Sequence, residues 1–97
     1  MFHKVKNVTA LPNYMLSVQF CVGITKLYNV KKLFTVIPAF RYFEKHTEEF
    51  YDVYVDVGGY GIVWNDDIDL SCDELWDNGK EIKTPFDNLI SFHDATE

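Results

Sequence analysis

The sequence predicts an α+β fold: an antiparallel sheet, made of a meander and a glycine hairpin, covered on one face by short helices. Three observations lead to this prediction. Apolar and polar residues alternate in several short segments, which is typical of strands with one buried face. Turn-forming residues separate these segments by a few positions, which favours antiparallel neighbours. Short stretches with helical spacing of apolar residues begin at capping residues.

The first part of the chain predicts a three-stranded meander. Apolar and polar residues alternate, and β-branched and aromatic side chains are frequent, over residues 5–9, 14–20 and 24–28. Proline and asparagine favour the turn after the first strand. In the second turn Gly23 is expected in the left-handed conformation, because the β-branched residue Val22 resists positive φ.

Short helical turns are expected in the middle of the chain. Asn29 is placed to cap a helix over residues 30–36. Pro38 ends this helix, because proline cannot continue the hydrogen-bond ladder. Residues 40–43 fit either an extended segment or a second helical turn, and residues 47–50 fit a capped single turn.

A glycine hairpin is the clearest signal of the second half. Residues 53–57 alternate as a strand with one buried face. Gly58 and Gly59 supply positive φ without steric cost, which favours a tight reversal into a strand over residues 60–64. Trp64 ends that strand and is expected in the core.

An acidic turn and a short helix follow the hairpin. Asp69 is expected just before the helix, where free N–H groups favour negative charge. Ser71 and Glu74 have the spacing of a capping box. The helix is expected to bury a face that includes Leu75 and to end at Gly79, the position of a C-cap glycine.

These patterns resemble the domain-of-unknown-function 2442 family of small bacterial proteins. The resemblance lies in a glycine hairpin, a tryptophan and an Asp-Leu pair before a short helix, carried by Val55, Asp56, Gly59, Ile62, Trp64, Asp69, Leu70, Glu74 and Leu75. It covers about residues 5–79 and leaves 80–97 as a C-terminal extension. Val22 departs from the pattern, since asparagine or aspartate is expected before that glycine. The family has no established activity, so the resemblance implies a fold rather than a function.

Composition predicts a single domain over residues 1–97, located in the cytoplasm. The chain is 47% hydrophobic and 16% aromatic, which is sufficient for a core. No apolar run approaches the roughly 20 residues of a membrane helix, and no signal-peptide pattern begins the chain. Cys21 and Cys72 lie in apolar patterns and are expected as buried thiols in a reducing compartment.

Charge is polarised along the chain. Residues 1–46 hold seven Lys or Arg and one acid, whereas residues 47–97 hold two lysines and fourteen acids, for a net charge of −6. The two halves either pair within the fold or present faces of opposite sign. We expect the acidic half to bind a basic protein partner. The surface predicted for this partner consists of Asp66, Asp67, Asp73, Asp77 and Trp76.

No motif predicts a catalytic, cofactor or metal site. The segment that starts at Asp67 resembles the beginning of a calcium loop, with oxygen-bearing side chains at Asp67, Asp69 and Ser71. Cys72 and Asn78 then occupy the positions that need glycine and glutamate. The three histidines do not lie at zinc-ligand spacing with the cysteines. The glycine run precedes a strand rather than the lysine and helix of a phosphate loop. We therefore expect no enzyme activity, no cofactor and no metal requirement.

Three classes of function remain open. The first is a non-enzymatic protein-interaction module, for which the resemblance implies an antitoxin-like or adaptor half of a two-gene pair. The second is a nucleic-acid-linked regulator, because some relatives carry a helix-turn-helix domain; the net charge opposes phosphate binding. In its favour is a basic face of Lys4, Lys6, Lys26, Lys31 and Lys32. The third is an enzyme with an unrecognised site, and a homo-oligomer is compatible with each class.

The end of the chain predicts one more short helix. Thr84 is placed as its N-cap, with proline at the first helical position. Phe86, Leu89, Ile90 and His93 fall on one face. So short a helix is marginal alone, so we expect it to dock, either on its own core or on another chain.

Overall fold

The computed structural model describes residues 2–82, and the helix predicted from Thr84 onward lies outside them. The strands are β1 (Val5–Leu11), β2 (Met15–Phe20), β3 (Thr25–Asn29), β4 (Tyr54–Val55), β5 (Gly61–Asn65), β6 (Ile68–Ser71) and β7 (Lys80–Ile82). The α-helices are α1 (Tyr42–Lys45) and α2 (Cys72–Asn78). Short 3₁₀ helices span Pro12–Tyr14, Val30–Leu33, Pro38–Arg41, Thr47–Asp52 and Val57–Gly59. Within residues 2–82, no helix is long and apolar enough to cross a membrane.

The strands form two antiparallel sheets, with the orders β1-β2-β3-β7 and β4-β5-β6. The first sheet contains the predicted meander and the second contains the glycine hairpin. The α+β class is confirmed, although meander and hairpin lie in separate sheets rather than in one. Residues 30–52, called here the helical segment, connect the two sheets and contact both of them.

Trp64, on β5, lies at the centre of the aromatic core. Its side chain is 7% exposed, and its indole Nε1 donates to the Phe50 carbonyl at 2.9 Å. The ring centroids of Phe43 and Phe50 lie 5.3 and 5.8 Å from that of Trp64. Tyr14, just before β2, donates from its hydroxyl to the Phe43 carbonyl at 2.9 Å. The helical segment is therefore fixed to both sheets by aromatic side chains and their hydrogen bonds.

The helical segment contains more helix than the sequence predicts. The Asn29 side chain caps its first turn by accepting a hydrogen bond from the Lys31 amide, and that turn ends at Leu33. Pro38 begins a further 3₁₀ helix, because proline is favoured at the first helical position, where its missing N–H costs nothing. Residues 40–43, for which two structures were compatible, are helical.

The glycine hairpin is broader than a two-residue reversal. β4 has two residues instead of the expected 53–57, and a 3₁₀ turn precedes β5. Gly58 and Gly59 have φ values of +90° and +78°, as predicted. A Cβ atom on Gly59 would also lie 2.6 Å from the Val5 carbonyl oxygen. Glycine is thus required there for the contact with β1 as well as for the turn.

Strand β6 is missing from the sequence-based prediction. Ile68 and Leu70 are buried and alternate with exposed Asp69 and Ser71, which is the two-residue period of a strand. The side-chain oxygen of Asn65 closes the preceding turn by accepting from two backbone amides. Asp69 therefore lies two residues before the Ser71 cap, close to the predicted position, but on a strand rather than in a turn.

Helix α2 begins at the predicted cap and ends at the predicted glycine. Ser71 Oγ accepts from the Glu74 amide at 3.1 Å, which is one half of a capping box, and Leu75 is fully buried. The Glu74 carboxylate instead accepts hydrogen bonds from the side chains of Tyr28 and Asn78. Gly79 is the C-cap residue, as predicted, and its backbone N–H donates to the Leu75 carbonyl; its φ is −77°, so the left-handed conformation is not what requires glycine there. A Cβ there would lie 2.5 Å from the Leu75 carbonyl oxygen, so close packing is the reason for glycine.

The two cysteines are free and differ in their surroundings. Cys72 is buried at the start of α2, as expected. Cys21 is exposed, and its predicted burial is wrong, because it lies at the tip of the turn between β2 and β3. In that turn Gly23 has the predicted positive φ, +95°.

Replacing Trp64 by alanine is expected to lower the free energy of unfolding by about 3–5 kcal/mol, because a large buried side chain and a buried hydrogen-bond donor are lost together. Urea denaturation followed by circular dichroism measures this change. Tyr54→Ala, at an exposed position on β4, is the control and should cost less than about 1 kcal/mol. A similarly small loss for Trp64→Ala would show that Trp64 does not anchor the core.

Gly59→Ala is expected to destabilise the protein more than Gly23→Ala. Both substitutions force a side chain into positive φ, which costs about 1–2 kcal/mol. Only Gly59→Ala also brings a Cβ against backbone, since the space around Gly23 is open. Equal losses of unfolding free energy in the two variants would show that the contact with β1 is not tight.

Candidate partner-binding surface

The predicted carboxylates lie on both sides of β6 in the sequence, and β6 is an edge strand within the described residues. Asp66 and Asp67 are exposed in the turn before β6, whereas Asp73 and Asp77 are exposed on α2 after it. Four strand residues separate these two pairs by about 13 Å, so they do not form one tight cluster. The exposed side chain of Asp69 lies between them. These five residues, Asp66, Asp67, Asp69, Asp73 and Asp77, are called here the acidic stripe.

The acidic stripe is not neutralised by the basic half of the chain within residues 2–82. The salt bridges in this range join Arg41 to Glu44 at 3.0 Å and His46 to Glu49 at 3.4 Å, and both lie in the helical segment. No Lys or Arg of residues 2–46 forms a salt bridge with an acid of residues 47–82. Salt bridges therefore leave the acids of the stripe unpaired within residues 2–82, although Lys26 and Lys32 of the basic half lie beside α2.

Trp76, which the sequence predicts for this surface, is partly buried and contacts the first sheet. His3 stacks on its ring with 3.7 Å between centroids, and Phe20 meets it edge-on at 4.9 Å. The Lys26 ammonium lies 4.1 Å from the ring centroid and also donates to the Trp76 carbonyl. Trp76 therefore fastens α2 to the first sheet. Its partners are distant in sequence, so no local pattern could have revealed this role.

An open depression of about 480 Å³ lies beside the turn of the acidic stripe. It runs between the helical segment and the start of β6, and Pro38, Tyr42, Asp67 and Ile68 are among its lining residues. Tyr42 is 40% exposed. The depression thus places an aromatic side chain and apolar surface next to the Asp67 carboxylate, as a partner surface requires.

A second, smaller cleft lies between the 3₁₀ helix Val30–Leu33 and α2. In it the hydroxyl of buried Tyr28 donates to Glu74 Oε2 at 2.8 Å, and Asn78 Nδ2 donates to the same oxygen at 2.9 Å. Burial, and then the hydrogen bond and charge of Glu74, raise the pKa of Tyr28. The hydroxyl therefore stays protonated and holds the carboxylate in place. Tyr28 and Glu74 lie 46 positions apart, which is why the sequence did not reveal the pair.

Cys72 and the group of His46, Glu48 and Glu49 are partly engaged within the fold. Burial, followed by the charge of Asp73, raises the pKa of the Cys72 thiol and so disfavours a nucleophilic thiolate. His46, Glu48 and Glu49 place one ligand atom each within 4.8 Å of one another. Glu49 in this group already accepts a hydrogen bond from the Tyr42 hydroxyl at 2.8 Å, which raises the pKa of Tyr42.

We expect no stabilisation by calcium or zinc. The group at His46 lies at the start of a 3₁₀ helix, where backbone N–H groups disfavour a cation, and its ligand atoms partly pair with each other. The melting temperature should stay unchanged with micromolar calcium, zinc or a chelator. A rise of several degrees with zinc that is absent in His46→Ala would contradict this expectation.

Comparison with known proteins identifies the family. The family described as Protein of unknown function (DUF2442) matches residues 5–81, two residues beyond the segment over which the sequence resembles it. A search of curated proteins finds no match, and neither does a search of solved structures. The matched range contains both sheets, except for Ile82, the last residue of β7, and the whole acidic stripe. The chain therefore belongs to the DUF2442 family.

Proposed function

We propose that this chain is a non-enzymatic protein-interaction module that binds a basic protein through the acidic stripe. One observation supports the proposal above others: the five exposed carboxylates of the acidic stripe form no salt bridge to any Lys or Arg of residues 2–82. Unpaired charge of one sign gains most from a partner of the opposite sign, which speeds association and selects the partner.

The surroundings of the acidic stripe provide the apolar contact that charge alone does not. Tyr42, Pro38 and Ile68 line the depression beside Asp67. Tyrosine is enriched in interfaces, because its ring supplies contact area at a small cost in conformational entropy. An apolar or aromatic side chain of the partner would lie in this depression while its basic residues face the stripe.

A nucleic-acid-linked regulator is the alternative, and the structure offers it less support. Of the lysines that form its proposed basic face, Lys26 is held against Trp76 and the Trp76 carbonyl. Lys4 lies over the Tyr60 ring at 5.1 Å. Both ammonium groups are therefore partly engaged within the fold, which leaves fewer of them for phosphate groups.

The antitoxin-like or adaptor role is the more specific form of the same proposal. It requires that the basic partner be encoded next to this chain in its host. Affinity capture of the tagged protein from that host, followed by mass spectrometry, tests this directly. One stoichiometric basic protein from the neighbouring gene supports it, whereas nucleic acid that survives washing in high salt supports the alternative.

Reversing charge in the acidic stripe is expected to slow partner association. In the variant Asp66→Lys with Asp73→Lys, the association rate constant should fall about tenfold or more at low salt, and its salt dependence should flatten. Surface plasmon resonance at several salt concentrations measures both quantities. The dissociation rate should change less, because the two residues act mainly during encounter.

The matched control reverses the same number of charges elsewhere. Glu48→Lys with Asp52→Lys changes two exposed acids of the helical segment and leaves the acidic stripe intact. An equal slowing in both double variants would mean that net charge, not this surface, controls association. Unchanged kinetics in the first variant would remove the acidic stripe from the interface.

A further inference from the structure

The cleft between Val30–Leu33 and α2 has the features of an anchor site. It encloses about 250 Å³ and is lined by apolar and polar groups together. Leu33 and Val36 supply its apolar walls, and Val36 is 71% exposed. Glu74 and Asn78 supply the polar side of the cleft.

The Glu74 carboxylate is held in position with one oxygen free. Both internal donors, the Tyr28 hydroxyl and the Asn78 amide, bond to Oε2. Within residues 2–82, Glu74 Oε1 has no hydrogen-bond partner and Glu74 forms no salt bridge. Because the donors fix the carboxylate beforehand, a ligand that bonds to Oε1 loses little entropy in ordering it.

We propose that this cleft binds an arginine side chain of the basic partner. The inference rests on the proposed function, and it names the contact that would fix the partner's position. A guanidinium group donates N–H bonds to a carboxylate and is weakly hydrated, so it tolerates a half-buried site. The aliphatic part of the arginine packs along Leu33 and Val36. Asp77 of the acidic stripe lies one turn from Glu74 on the exposed face of α2, so the negative field of the stripe reaches the cleft.

The charge of Lys32 provides a test of whether the cleft binds a cation or an anion. It lines the cleft and is exposed, without a salt bridge to Glu74. An arginine in the cleft is repelled by the Lys32 ammonium, whereas an anionic ligand would be attracted by it. Removing this charge therefore changes affinity in opposite directions for the two kinds of ligand.

The test uses N-acetyl-arginine amide as the probe and N-acetyl-citrulline amide, its neutral isostere, as the reference. Each is titrated into the full ¹⁵N-labelled chain, and the dissociation constant is taken from amide chemical shifts. The side-chain amide of Asn78 reports directly on the cleft. We expect arginine to shift this signal and those of α2, and citrulline to bind about fivefold more weakly or not at all.

Three variants separate contact from general electrostatics. Glu74→Gln retains an acceptor for Tyr28 and should abolish the preference for arginine over citrulline. Asp77→Asn removes the same charge outside the cleft and should weaken arginine binding about twofold or less. Lys32→Ala should strengthen arginine binding. Melting temperatures of the three variants confirm that each is folded.

Several outcomes would overturn the inference. If Glu74→Gln and Asp77→Asn weaken arginine binding equally, the probe responds only to the general negative charge of α2 and does not contact Glu74. Weaker arginine binding in Lys32→Ala, or arginine-induced shifts confined to other elements, would also exclude the cleft as an arginine site. Each of these results leaves the proposed function intact if the double variant Asp66→Lys with Asp73→Lys still slows partner association. Arginine binding in the cleft together with unchanged association would instead overturn the proposed function alone.

Discussion

The hydrogen bond from Trp64 Nε1 to the Phe50 carbonyl is the contact on which the arrangement of the two sheets depends. Each sheet is small, and its stability depends on burying an apolar face against other elements. The helical segment joins them by placing Phe43 and Phe50 against Trp64, while Tyr14 ties the same segment to the meander. A buried indole N–H needs an acceptor. The hydrogen bond to Phe50 therefore fixes where the helical segment lies along β5, and the ring contacts hold the segment against that strand.

Helix α2 also connects parts of the fold, because its side chains contact the core and the first sheet on one face and solvent on the other. Leu75 and Cys72 are buried in the core, and Trp76 is clamped by His3 and Lys26 of the first sheet region. Glu74 faces Tyr28, and the aspartates face solvent. A helix of two turns is unstable by itself, so these contacts and the Ser71 cap hold it. The acidic face is therefore presented on a rigid support.

The sequence predicts the local features of this fold and misses the pairings between distant segments. The meander, Gly59 and the Ser71 cap follow from alternation, backbone conformation and cap spacing, each of which acts over a few residues. β6 was missed because four residues between a turn and a helix leave little room for a pattern. The contact of Tyr28 with Glu74 was out of reach, because periodicity indicates which face a side chain occupies but not which residue it meets.

The position of the acidic stripe restricts how a partner can bind. β6 is an edge strand of the second sheet within the described residues, with unpaired backbone groups that could accept another strand. Charged side chains on such an edge discourage strand addition, and Asp69 lies in the middle of it. Under the proposed function, a partner would therefore be recognised through side chains rather than by extending the sheet. An interface of this kind depends on ionic strength and on the spacing of basic residues along the partner, and the fixed carboxylate of Glu74 would set its register.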